Sequence, residues 1–154
     1  MPYRLFVFTL FAAAALLSSL VDHRNAAAFT ARSDREAARF ARCAGPVRET
    51  CVVDGDTFWY RGARIRLADI NAPELSRPHC LAEARLGARA TARLNELLNA
   101  GAFTLEPADR AYDAYGRRLF TVTRAGESLG ARLEAEGLAE HWRGYRGDWC
   151  ARTI

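Results

Sequence analysis

Between Asp54 and Glu74 the chain sets Asp54, Asp56, Asp69 and Glu74 among Arg61, Arg64 and Arg66, with Arg77 just beyond. Carboxylates this close in sequence can grip a hard cation such as Ca²⁺ or Mg²⁺, which wants oxygen ligands, and Asn71 offers an amide oxygen. A guanidinium fork matches two phosphate oxygens at once and keeps its charge at working pH. Glu74 is an acceptor of the kind a reacting water needs. A cation, guanidinium donors and an acid together suit a reaction in which charge grows on phosphate oxygens. A second arginine, Arg117, closes the run Asp113-Ala114-Tyr115-Gly116-Arg117.

The elements that must position these groups are legible as patterns. The apolar runs at 51–53 and 57–60 flank Asp54-Gly55, a hairpin signal because Gly tolerates φ > 0. A second turn at Tyr60-Arg61-Gly62-Ala63 leads to a third strand, Arg64–Ile70. Asn71-Ala72-Pro73-Glu74 ends the sheet run, since Pro73 cannot donate to a ladder. A long helix is expected over Leu81–Asn99, with Leu86, Ala90, Leu94, Leu97 and Leu98 on one face. A strand at Ala102–Glu106, a loop at Pro107–Gly116, a strand at Leu119–Thr123 and a helix at Ser128–Glu136 follow. The expected class is mainly β with packed α-helices (α+β). The element order is that of a five-stranded OB-type barrel with two helices.

Asp54-Gly-Asp56-Thr57, Arg66-Leu67-x-x-Ile70-Asn71-Ala72-Pro73-Glu74 and Asp113-x-Tyr115-Gly116-Arg117, in this order and spacing, resemble the staphylococcal nuclease (thermonuclease) family from about Val47 to Tyr145. The resemblance implies an OB barrel and Ca²⁺-dependent hydrolysis of phosphodiesters in DNA or RNA, with nucleic acid as the partner. It implies Asp56 as a metal carboxylate, Asn71 in the second metal-carboxylate position, the carbonyl of Ala72 as a third ligand and Asp54 just outside, through water. Arg66 and Arg117 would hold the phosphate and Glu74 would orient or deprotonate the water. Tyr115 and Tyr145 would lie on the substrate side.

The departure from the family pattern is Asn71, which brings no charge. At about 4 Å and an effective dielectric of about 20, each unit-charge pair is worth roughly 4 kcal/mol, so a neutral ligand should weaken the metal. Asp69, two residues earlier, is expected on the same strand face, where it could compensate. The alternative is an OB module that binds nucleic acid or a protein without cutting it, its metal site weakened at Asn71. Arg66, Glu74 and Arg117 together favour the enzyme.

The chain of 154 residues has room for one domain. Its net charge of +4 comes from 22 basic residues, all arginine, and the sequence pI is near 9.2. Both permit a polyanionic partner. Met1–Arg4 is a short basic start, Leu5–Val21 carries no charge, and Ala26-Ala27-Ala28 follows. This is the pattern of a secretory signal, or else of an uncleaved anchor. The expected organisation is a signal at 1–28, a linker or short helix at 29–45, the domain at 46–150 and a tail at 151–154. The protein is expected to be an exported monomer, periplasmic or secreted, without a membrane partner unless the N-terminal segment stays. Cys43, Cys51, Cys80 and Cys150 fit no zinc spacing, and an even count in an exported domain suggests two disulfides. Of three connectivities, Cys43–Cys51 as a local clasp with Cys80–Cys150 tying the tail to the first helix is favoured.

Overall fold

The structure is a computed structural model that describes residues 33–151. The segment expected as signal or anchor lies outside these residues. Chain order is β1 (Ala41–Arg42), β2 (Cys51–Asp54), β3 (Thr57–Tyr60), β4 (Ala63–Leu67), β5 (Ile70–Asn71), α1 (Leu81–Asn99), β6 (Thr104–Tyr112), β7 (Arg118–Arg124), β8 (Glu127–Ser128), α2 (Leu129–Ala135) and β9 (Glu140–His141). The class is α+β and mainly β.

A sheet of 7 strands runs β1-β2-β3-β4-β7-β6, with β8 on β7, and β5 pairs β9 in a separate ribbon. This replaces the five expected strands, and no ladder closes the sheet into a barrel among the described residues. Its two ends are tied instead by one stretch of chain. Glu36 bridges Phe103, just ahead of β6, while Ala41 and Arg42 run parallel to Cys51 and Val52. The described part of the expected linker is therefore extended, not helical. It is also packed: Phe40 is buried against Phe58, Tyr60 and Phe103, and Asn95 and Asn99 of α1 hold its backbone. The short helix allowed at 29–45 lost here to a buried aromatic ring and to backbone partners on α1.

The hairpins form, but the second one carries the unusual backbone. Arg61 and Gly62 have φ of 48° and 75°, both positive, as a tight turn matching strand twist requires. Gly55 has no positive φ. It is glycine because α1 and the Asn71–Pro73 loop approach it: a Cβ there would sit 2.6 Å from Ala90 Cβ and 2.7 Å from Ala72 Cβ.

The expected strand at 64–70 breaks in two. β4 ends at Leu67, and after Ala68 and Asp69 the chain leaves β7 to pair with β9. The expected loop at 107–116 is mostly strand, because β6 runs on to Tyr112. Pro107 sits where the β6–β7 register shifts, on the edge strand of the sheet, which is where a residue without an N–H is tolerated.

Helix α1 buries Ala90, Leu94, Leu97 and Leu98 as its spacing predicts, with Leu86 partly covered. It packs against β2. Ser128 caps α2 by accepting from the Ala131 N–H at 3.1 Å. Both favoured disulfides are present, Cys43–Cys51 and Cys80–Cys150.

Candidate active site

Strand pairing brings the first acids and the first arginine together. Thr57 faces Arg66 across β3 and β4, and Asp56 lies one residue before. Asp56 Oδ1 accepts from the Thr57 hydroxyl at 2.8 Å, and its Oδ2 accepts from the Ala72 N–H at 3.2 Å. Arg66 Nη2 lies 3.5 Å from Asp56 Oδ2, and Arg66 Nη1 donates to the Leu67 carbonyl at 2.7 Å. The guanidinium also lies 4.8 Å from the centre of the Trp142 ring, and Arg66 is only 5% exposed.

Arg117 arrives at Thr57 from the other side. Its Nη1 donates to Thr57 Oγ1 at 3.2 Å, so Arg66, Asp56, Thr57 and Arg117 form one continuous polar chain. Asp113 holds Arg117 in place. Its Oδ2 accepts from Arg117 Nε at 2.6 Å, and its Oδ1 from the backbone N–H groups of Tyr115 and Arg117, each at 2.9 Å. Burial pushes the Asp113 carboxyl up, but these donors and the Arg117 charge outweigh it, so its pKa is lowered.

Glu74 and Asp54 line a cleft of about 440 Å³ together with Arg117 and Tyr115. Burial, the charge of Asp56 and, less, that of Glu74 push the Asp54 carboxyl up to about 7, against a backbone hydrogen bond with Asp56 that lowers it. Glu74 sits in the loop before α1, and helix residues fix that loop. Glu83 Oε1 accepts from the Glu74 N–H at 3.2 Å, and its Oε2 from the His79 N–H at 2.6 Å and the His79 ring at 3.0 Å. Burial raises the Glu83 pKa, yet these bonds bring it below the usual value. A Cβ at Gly87 would lie 2.8 Å from the Glu74 carbonyl oxygen and 2.9 Å from that of Pro73, so α1 presses directly on the loop backbone. The Glu74 carboxylate pairs with Arg146.

Asn71 lies buried opposite Glu140 in the β5–β9 ribbon. Its Nδ2 donates to Glu140 Oε1 at 3.1 Å, and Glu140 Oε1 also accepts from the Gly147 N–H at 2.7 Å. The nitrogen end of the Asn71 amide is thereby spoken for, which leaves Oδ1 as the end able to meet a cation. Asp54, Asp56, Asn71 Oδ1 and the Ala72 carbonyl are all oxygen donors, and the acids among them repel one another. That donor chemistry fits a hard divalent ion. Among the described residues no three His, Cys, Asp or Glu side chains form a cage for a metal by themselves.

Asp69 does not compensate for Asn71. Its Oδ2 accepts from the Ser128 hydroxyl at the start of α2, and its carboxylate lies where a Cβ on Gly130 would stand. The break after Leu67 turned it to that helix. Tyr115 stands at the cleft, with Arg117 at 5.5 Å from its ring centre. Tyr145 is not part of the cleft lining; it is exposed, with Arg143 beside its ring. Sequence reasoning does not single out Glu83, Gly87, Glu140 or Arg146. A carboxylate at the third helical position of α1 was the one readable signal, for Glu83.

The family profile of the staphylococcal nuclease homologue matches residues 64–151, which contain Arg66, Asn71, Glu74 and Arg117, while the Asp54–Asp56 turn precedes the match. No curated protein matches the chain. With more than half of its residues matched and its arginines and acids joined around Thr57, the chain belongs to the staphylococcal nuclease homologue family.

Proposed function

We propose that the protein is an exported, divalent-metal-dependent nuclease that hydrolyses phosphodiester bonds in DNA or RNA. The observation that carries this reading is the polar chain Arg66–Asp56–Thr57–Arg117, with Glu74 and Asp54 at the adjoining cleft. In this reading Arg117 meets the phosphate at the cleft. Arg66 backs it from within, sharing Asp56 and Thr57. Glu74 accepts the proton of the attacking water, once Arg146 has yielded it. Asp113 and Glu83 position Arg117 and Glu74 and touch no substrate.

Asp56, Asn71 Oδ1 and the Ala72 carbonyl would hold Ca²⁺ or Mg²⁺, with Asp54 close behind. Bound there, the ion would supply a positive charge for the phosphate oxygens. A preorganised charge donor of this kind is worth about 10²–10³ in rate. The fold that goes with this reading is an OB-type barrel whose last gap is spanned by residues 36–42. The folded unit then starts ahead of residue 46, and export follows from the signal pattern at 1–28.

The test is digestion of plasmid DNA and of RNA by the purified chain with Ca²⁺, Mg²⁺ or chelator, beside Glu74→Gln. Cleavage that needs the ion and is lost in Glu74→Gln supports the reading. Binding without cleavage under any ion would make the protein a non-catalytic module.

A further inference from the structure

We propose that Arg64, Arg77 and Arg146 form a second phosphate subsite beside Arg117, which takes a phosphate flanking the scissile one. This rests on the nuclease reading. The three residues line the same cleft as Arg117, where four guanidinium groups outnumber the two acids, Asp54 and Glu74. Arg64 and Arg77 are exposed, and neither has an ion-pair partner among the described residues. Exposed arginines usually find carboxylates or spread over a surface. Two uncommitted ones beside two engaged ones, in one concavity, leave positive charge for a polyanion to neutralise.

Arg146 is delivered to the cleft by a fixed tail. The Gly147 N–H is held by Glu140, and a Cβ at Gly147 would fall 2.5 Å from the Glu140 carboxylate oxygens, so the tail crosses there without room for a side chain. Asp148 Oδ1 accepts from the Cys150 N–H at 2.8 Å, and Cys150 is bonded to Cys80 at the start of α1. The backbone just after Arg146 is thus pinned, while its long side chain rests on Glu74. A phosphate entering the cleft offers that guanidinium a second anion. The exchange seats the strand and releases Glu74 in one motion. A mononucleotide ester, with no flanking phosphate, gains only the Arg117 end of the cleft.

Binding of a short labelled single-stranded oligonucleotide in chelator, followed by anisotropy over a range of salt, tests this. The proteins are the full chain, Arg64→Gln, Arg77→Gln, Arg146→Gln, Arg146→Lys and, as a control, Arg85→Gln on the exposed face of α1. Each of the three cleft Gln variants should bind about threefold or more weakly and lose about 0.7 from the salt slope. Arg146→Lys should keep most of the affinity, and Arg85→Gln should match the unmodified chain. Cleft variants that bind like the unmodified chain, or no more weakly than Arg85→Gln, overturn the subsite while leaving the nuclease reading intact if the unmodified chain still cuts. Tighter binding by Arg146→Gln would make Arg146 a plug on Glu74 and would also overturn it. An unmodified chain that neither binds nor cuts nucleic acid removes both.

Discussion

Arg66 and Arg117 reach the same Asp56–Thr57 pair from opposite sides, and they are held in opposite ways. Arg66 sits in a central strand with its fork divided between Leu67 and Asp56 and its face covered by Trp142. Arg117 closes a hairpin, is steered by a local carboxylate four residues earlier, and faces a cleft. Both side chains are largely covered, Arg66 at 6% and Arg117 at 11% exposure. What separates them is that Arg117 lines the cleft and takes its rigidity from Asp113, while Arg66 takes it from the sheet. The difference separates two settings: a charge shut inside the sheet that completes the Asp56–Thr57 network, and a charge on the wall of the cleft, the one that the proposed function gives to the phosphate.

The comparison is broken most directly by removing each arginine in turn. Arg66→Ala leaves Asp56 buried without its cation and opens a void under Trp142. Unfolding by urea should report a loss of about 3–5 kcal/mol, and hydrolysis should vanish with it. Arg117→Ala leaves Asp113 with both of its backbone donors, so the loss of stability should be less than half as large, while hydrolysis falls about 10²–10³-fold. Equal stability losses from the two variants would mean that their settings do not distinguish them.

The next contrast concerns the β5–β9 ribbon. Asn71→Asp would restore the family's carboxylate, but Glu140 Oε1 lies 3.1 Å from Asn71 Nδ2. The variant replaces a donor with a like charge. Each acid then raises the pKa of the other. The cost should therefore be present at neutral pH, about 1–3 kcal/mol, and fade as pH falls through the raised value. Asn71→Asp combined with Glu140→Gln should recover the stability and bind Ca²⁺ more tightly than the unmodified chain by calorimetry. A single variant as stable as the unmodified chain at pH 7 would show that Glu140 does not constrain position 71.

Much of this site could be read from the chain, because local chemistry fixes it. The hairpin 51–60, the helix Leu81–Asn99 and the motif that ends in Arg117 are written in neighbouring residues. Asp69 and Gly55 were misread for one shared reason. Both look like parts of a local element, a strand face and a turn, yet their side-chain surroundings come from distant helices. Gly55 is small for Ala90, and Asp69 serves Ser128. Glu140 and Arg146 escaped notice likewise, since nothing near them in sequence points 69 or 72 residues back to Asn71 and Glu74. Phe40 was assigned to a linker because its pattern gives no hint of the aromatic cluster it completes.

The smallest expected effect probes how the cleft arginine is held. Asp113 has its pKa lowered in the folded protein by the donors of Arg117 and Tyr115, in spite of burial. A group lowered on folding contributes stability above its unfolded pKa, near 3.9. That contribution is lost as pH falls through the folded value. Asp113→Asn keeps an acceptor for the backbone N–H groups and gives up the ionic contact with Arg117. The difference in unfolding free energy between the two proteins should be about 1 kcal/mol at pH 7. It should shrink below about pH 4, where the unmodified Asp113 begins to take up a proton. A gap that stays constant from pH 7 to the acid limit of folding would mean that the charge of Asp113 is not what steers Arg117. The hairpin backbone alone would then hold it, and the two arginines would be held in similar ways after all.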